Sequence, residues 1–167
     1  MKHLKSLILG VTAAAIAAAQ GVGAATATGS VSASVTVAAM AKLTLSSATV
    51  TFANADPDTS PIIAAAEGAL TITAKGKTST GATIALTLLA ADDLRSGGDR
   101  IPISNITWTA TGSGFAAGTM SKAAAQPVGS WTNSGSRTGT QRFALINSWS
   151  YAAGSYTTTA TYTLTAP

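Results

Sequence analysis

Tyr-Thr-Thr-Thr-Ala-Thr-Tyr-Thr-Leu-Thr-Ala-Pro, residues 156–167, is the stretch that decides the fold. Tyr156, Ala160, Tyr162, Leu164 and Ala166 are apolar or aromatic, Thr158 is the exception among the even positions, and every odd position through Thr165 is threonine. A period of two with one greasy and one hydroxylated face predicts a half-buried β-strand. Just upstream, Gly154 stands two residues ahead of Tyr156. That is the arrangement of a tyrosine corner, in which the phenol ties a crossover loop back to its strand.

The same period runs through the rest of the chain. Residues 30–37 alternate strictly, with Val31, Ala33, Val35 and Val37 on one face and Ser or Thr on the other. After Ala38-Ala39-Met40-Ala41, residues 42–46 and 48–52 continue as strand, the latter through Ala48, Val50 and Phe52, and end in the turn residues Asn54, Asp56, Pro57 and Asp58. Residues 62–67 fit one helical turn or an irregular crossing. Residues 70–74 and 82–88 alternate around a loop at 75–81 and predict a hairpin. Residues 92–100 read as a surface loop, 101–110 as a strand with Ile106, Trp108 and Ala110 on one face, 112–136 as loops with a short strand or two, and 142–146 as strand again. No sustained helical period occurs after the first residues. The expectation is an all-β chain: an antiparallel Greek-key, immunoglobulin-like β-sandwich of about 7–9 strands, with a closed barrel as the second choice. Its expected core is Val50, Phe52, Leu70, Ile72, Ile84, Leu86, Ile106, Trp108, Phe143, Leu145, Tyr156 and Tyr162.

Met1-Lys2-His3-Leu4-Lys5 followed by an apolar run over residues 7–19 predicts a secretory signal peptide, residues 1–24, cleaved after Ala24, with Ala25-Thr26-Ala27 as the second choice. The run is shorter than the roughly 20 residues a spanning helix needs. Residues 25–167 are then one domain, exported to the cell surface, periplasm or outer envelope of a bacterium, with residues 25–41 as an exchangeable arm. The mature chain keeps eight basic and six acidic residues, net +2, scattered singly. Neither nucleic acid nor, after cleavage, a membrane is an expected partner.

The sole histidine, His3, leaves with the leader, and the chain has no cysteine. Ser-His-Asp and Cys-His nucleophiles and the usual zinc, copper and haem ligand sets are therefore excluded from the mature chain. Paired carboxylates could still hydrolyse glycosides, with Asp56, Asp58, Glu67, Asp92, Asp93 and Asp99 as the candidates, but turn chemistry accounts for five of the six. Asn54-x-Asp56-x-Asp58 resembles the opening of a calcium loop. Thr59 and Ala65 stand where such a loop takes Gly and Glu, so a Ca2+ site there, alone or shared with Asp92, Asp93 and Asp99, is a weaker reading than plain turn residues. No other cofactor is expected. Asn105-Ile106-Thr107 fits the glycan acceptor pattern. Trp131, Trp149 and Tyr151 sit in loop-like sequence, where flat rings either stack on sugars or plug the ends of the sandwich.

Residues 154–167, from Gly154-Ser155-Tyr156 to Tyr162-Thr163-Leu164-Thr165-Ala166-Pro167, resemble the close of the WxL domain, a secreted cell-wall-associated bacterial β-domain. Tyr162 stands in place of that family's tryptophan, and Trp108-Thr109-Ala110 has Ala where its other motif has Leu. The resemblance implies attachment to cell-wall polysaccharide. The alternating arm is similar to the donor strand of secreted pilins, without the cysteine pair of many such subunits. The resulting expectation is a non-enzymatic surface protein, a fibre, pilus or coat subunit that adds strands to its own kind or to other surface subunits. A wall-polysaccharide-binding module, WxL-like or lectin-like, is the alternative.

Overall fold

A computed structural model describes residues 26–167; the expected signal peptide, residues 1–24, lies outside the described residues. Two units divide the chain, Met1–Val35 and Thr36–Pro167. The described part of the first, residues 26–35, is exposed and has no helix or strand.

The second unit is an all-β sandwich. Its strands are β1 (Met40–Leu45), β2 (Ile62–Lys77), β3 (Thr83–Ala90), β4 (Leu94–Ser96), β5 (Asp99–Ile101), β6 (Ile106–Thr111), β7 (Gly118–Thr119), β8 (Gln126–Thr132), β9 (Gly135–Ile146) and β10 (Ala160–Thr165). One sheet has the order β1-β2-β9-β6-β7 and the other β10-β3-β8, all pairs antiparallel, with β4 and β5 forming a small ribbon. The inner faces meet in one core that includes Leu70, Ile72, Ile84, Leu86, Ile106, Trp108, Phe143 and Leu145, as the alternation predicts, joined by Leu88, Ile101, Ile103, Val128 and Trp131. Phe52, Tyr156 and Tyr162 pack against its margin.

The closing stretch behaves as its period demands. From 156 to 167 every even residue is half-buried and every odd one exposed. The Tyr156 hydroxyl donates to the Ala152 carbonyl at 2.9 Å, tying the loop to the strand. Gly154 packs closely on the Ser96 side chain, which would have to shift to admit a Cβ there. β10 itself is shorter than the alternation suggested, because residues 156–159 leave the β3 ladder for the 91–95 segment, Thr159 accepting from the Ala91 N–H at 2.8 Å and Thr157 bridging Arg95.

Several expectations are corrected, and residues 62–67, for which the sequence left two readings open, are resolved. Residues 70–74 and 82–88 are not a hairpin: β2 pairs β1 and β9, whereas β3 pairs β10 and β8, so the loop at 78–82 arches from one sheet to the other. Ser134 and Asn133 pin that arch, accepting from the Thr78 and Gly81 N–H groups at 2.9 and 2.7 Å. Residues 62–67 open the long strand β2, which bulges between Ala64 and Ala69 where Gly68 has φ 70°. Glu67 braces this bulge by accepting from the Thr51 N–H and hydroxyl, both at 2.8 Å, and these donors hold its carboxyl below the usual range. Residues 48–52 are not a strand, Phe52 alone bridging Ala65, and Val50 is 37% exposed rather than core. Finally, residues 30–37 do not form a strand: Val31, Val35 and Val37 are 96, 86 and 68% exposed. Alternation creates a potential strand, but the ladder also needs a partner edge.

Candidate functional site

The two long sides of the sandwich are built differently. On the β7–β8 side backbone bonds stitch the sheets together: Ala116 N–H donates to the Val128 carbonyl and Ser130 N–H to Gly114, each at 2.8 Å, and Phe115 bridges Gly129. On the other side lie the edge strands β1 and β10. They approach each other only where Met40 pairs Lys77, Gly76 faces Ala166, and the Thr78 hydroxyl donates to the Pro167 carbonyl. Among the described residues no backbone hydrogen bond joins segment 40–57 to segment 151–167.

Beyond Leu45 the two edges diverge and open a cavity of about 1060 Å³. Residues 47–57 form one wall and residues 151–160 with Tyr162 the other, while Leu70, Leu88, Ile106, Phe143 and Leu145 make an apolar floor. The Tyr162 hydroxyl, pushed well above its ordinary pKa by burial, donates to the Gln141 Oε1 atom at the cavity's inner end.

The end of this opening is fastened by Asn147. Its Nδ2 group donates to the Ala55 and Ser60 carbonyls, both at 3.0 Å, clamping the 54–60 turn to the 147–151 segment. Asp56 Oδ1 accepts from the Asp58 N–H at 2.9 Å, the bond of an Asx turn. Asp58 Oδ1 accepts from the Trp149 indole N–H at 3.0 Å. Asp56 thus makes the turn, Asp58 holds the Trp149 ring, and Asn54 lines the cavity wall beside them. Among the described residues no three acidic, histidine or cysteine side chains are grouped to hold a metal.

The three aromatic candidates separate. Trp149 is 70% exposed, its ring held by Asp58. Trp131 is buried in β8 and packs on Phe115 at 5.9 Å between centroids, so its faces are not available to a sugar. Tyr151 is half-buried; its hydroxyl donates to the Ile146 carbonyl at 2.9 Å and accepts from Asn105 Nδ2 at 2.6 Å, which makes it a peg rather than a platform. Asn105, the glycan-acceptor candidate, has its amide committed to that contact.

Asp92 and Asp93 form an ion-pair cluster with Arg95 and Lys122, and Asp99, exposed at the start of β5, is not part of it. Arg95 Nε donates to Asp92 Oδ2 at 2.6 Å, and Lys122 Nζ bridges Asp92 Oδ1 at 2.9 Å and Asp93 Oδ2 at 2.6 Å. Asp93 Oδ1 also accepts from the Ile103 N–H at 3.0 Å. The Lys122 ammonium thus bridges the Asp92 and Asp93 carboxylates. Arg95, then Lys122, pull the Asp92 carboxyl well below its ordinary 3.8; Lys122, then the Ile103 N–H, lower Asp93. A glycosidase general acid needs a raised pKa, the opposite of what these residues and Glu67 have.

A carboxylate whose folded pKa is depressed contributes stability that is present above its unfolded pKa and is lost as pH falls through the folded value. Thermal stability should therefore fall below about pH 4. Asp92→Asn should make that decline shallower; an unchanged slope in melting curves across the acid range would contradict the role given to the cluster.

Comparison with family models, with curated proteins and with solved structures gave no match.

Proposed function

We propose that the chain is a non-enzymatic structural subunit of a bacterial surface fibre, pilus or coat, exported by its leader and assembled by strand addition through residues 30–37. The observation that carries this reading is the arm: a strictly alternating, uncharged segment whose three valines face solvent although their pattern is that of a buried strand face. Soluble chains seldom leave such a pattern unpaired, because both its apolar face and its backbone groups gain from a ladder. Strand addition satisfies both at once, main-chain bonds supplying affinity and alternate side chains supplying fit. The test is the size of the exported protein with and without the arm: the intact chain should run as heat-resistant multimers, and a chain lacking residues 25–37 as a monomer.

A second reading rests on Trp149. An exposed indole fixed by Asp58 is suited to stacking on a pyranose ring, as a WxL-like or lectin-like module holding cell-wall polysaccharide would require. In that case purified wall material should pull the protein down, and Trp149→Ala should abolish retention. Retention that survives the substitution removes this site.

A further inference from the structure

We infer that the acceptor for the arm is the open side of the sandwich in a second copy of this chain: the outer edge of β10 together with the cavity between residues 47–57 and 151–160. The inference rests on the strand-addition reading above and names where the strand goes.

Three observations converge on this edge. First, β10 bonds only to β3, so every second residue turns its N–H and C=O groups outward with no partner among the described residues. Natural edge strands are usually blocked by lysine, proline, bulges or a covering segment. β1 carries Lys42, and the β7–β8 side is sealed by its own loop, but β10 has neither charge nor proline. Second, the chemistry matches. The arm, residues 26–39, and residues 151–166 contain no charged side chain, and Asp56, held in its turn, is the one charged residue of the 47–57 wall. Arm residues Val31, Ala33, Val35 and Val37 fall on the spacing of Ala160, Tyr162, Leu164 and Ala166, which are half-buried at the margin of the apolar floor. The opposite face of the arm, Ser30, Ser32, Ser34 and Thr36, would then lie beside the exposed Thr161, Thr163 and Thr165, a row of hydroxyl pairs across the ladder. Third, small side chains suit a slot that an extended strand must enter between two sheets.

The occupant is a second copy rather than the chain's own arm. Only Ala38 and Ala39 separate Val37 from β1, which begins at the end of the sandwich where β1 and β10 already touch. To enter its own cavity the arm would have to reverse there within two residues, and turns of that length take Asn-Gly or another glycine-containing pair where this chain has alanines. The cavity opens past Leu45, about 20 Å further along β1. Donor and acceptor are thus different surfaces of the chain, the arm before β1 and the open side beside β10. Such a contact is heterologous, and it propagates head to tail as an open filament unless the rotation between subunits closes a ring.

The chain has no cysteine, so introduced ones report unambiguously. Full-length mature protein carrying Val31→Cys, Ala33→Cys or Val35→Cys is mixed with protein carrying Ala160→Cys on β10 and oxidised mildly. Leu164→Cys serves as acceptor where Ala160→Cys does not accumulate, and Thr119→Cys on β7 is the control edge. A disulfide-linked dimer between an arm position and β10, lost with Thr119→Cys, is the expected result. Arm-dependent multimers with no β10 crosslink, or with an equal one at Thr119, would overturn the acceptor assignment while leaving strand addition standing. Absence of multimers from the intact chain would overturn both. A Val35→Cys/Ala160→Cys double variant that loses its thiols without gaining mass would show insertion into the same copy and overturn the second-copy assignment.

Discussion

Deleting residues 25–37 should abolish multimers while leaving the subunit exported, folded and as heat-stable as the intact chain before assembly. The sandwich does not use these residues: its core is drawn from the strands between Met40 and Thr165 and the segments joining them, and no core residue lies in the arm. The alternative, in which the arm is the first strand of its own monomeric sandwich, makes the contrary prediction. Removing a strand that buried three valines would strip roughly 1.5–3 kcal/mol per side chain from the fold, a large part of the 5–15 kcal/mol available to a domain. Thermal melts of the deleted chain separate the two cases. A midpoint equal to that of the unassembled intact chain, with lost multimers, fits strand addition between copies; a fall of many degrees below it with unchanged size fits a strand used at home.

The second large effect concerns the core on which the acceptor side is built. Ile84→Ala should cost about 2–5 kcal/mol, read as a lower denaturant midpoint at constant slope. Ile84 is fully buried in β3, and its Cδ1 atom fills the space over Gly76, where no Cβ could fit. The neighbouring backbone therefore cannot collapse far into the vacated volume. A change within about 0.5 kcal/mol of neutral would mean that this face of β3 is not the one turned inward.

These two segments also illustrate what the sequence makes legible. Alternation identifies faces, and it does so for residues 156–167, for β3 and for Ile106 and Trp108 in β6. It does not identify partners. β2 and β3 have the same in–out pattern whether they pair with each other or belong to opposite sheets, so the hairpin reading fails although both inward faces are right. The arm fails as a strand for the same reason, its faces being legible and its ladder absent. Trp131 looked loop-like because glycine and serine surround it, yet Gly129 is a packing residue: a Cβ there would come within 3.0 Å of the Trp131 ring. Glycine beside an aromatic residue is the signal that was available.

The site is less legible than the fold because its parts are far apart in the chain. Nothing in the spacing of Asp58 and Trp149, or of Asp92, Asp93 and Lys122, indicates that they meet; their contacts arise only when the sandwich ends bring separate turns together. The open side is likewise a property of topology. The lack of charge in residues 151–166 is visible in the sequence, but that this segment includes the unpaired edge is not.

Electron microscopy of cells producing the intact chain or the chain without residues 25–37 tests the central claim most directly. Assembly by strand addition predicts surface fibres or a continuous coat in the first case and a bare surface in the second, with the truncated protein still recovered from the exported fraction. A bare surface in both cases, or the same structures in both, would contradict it.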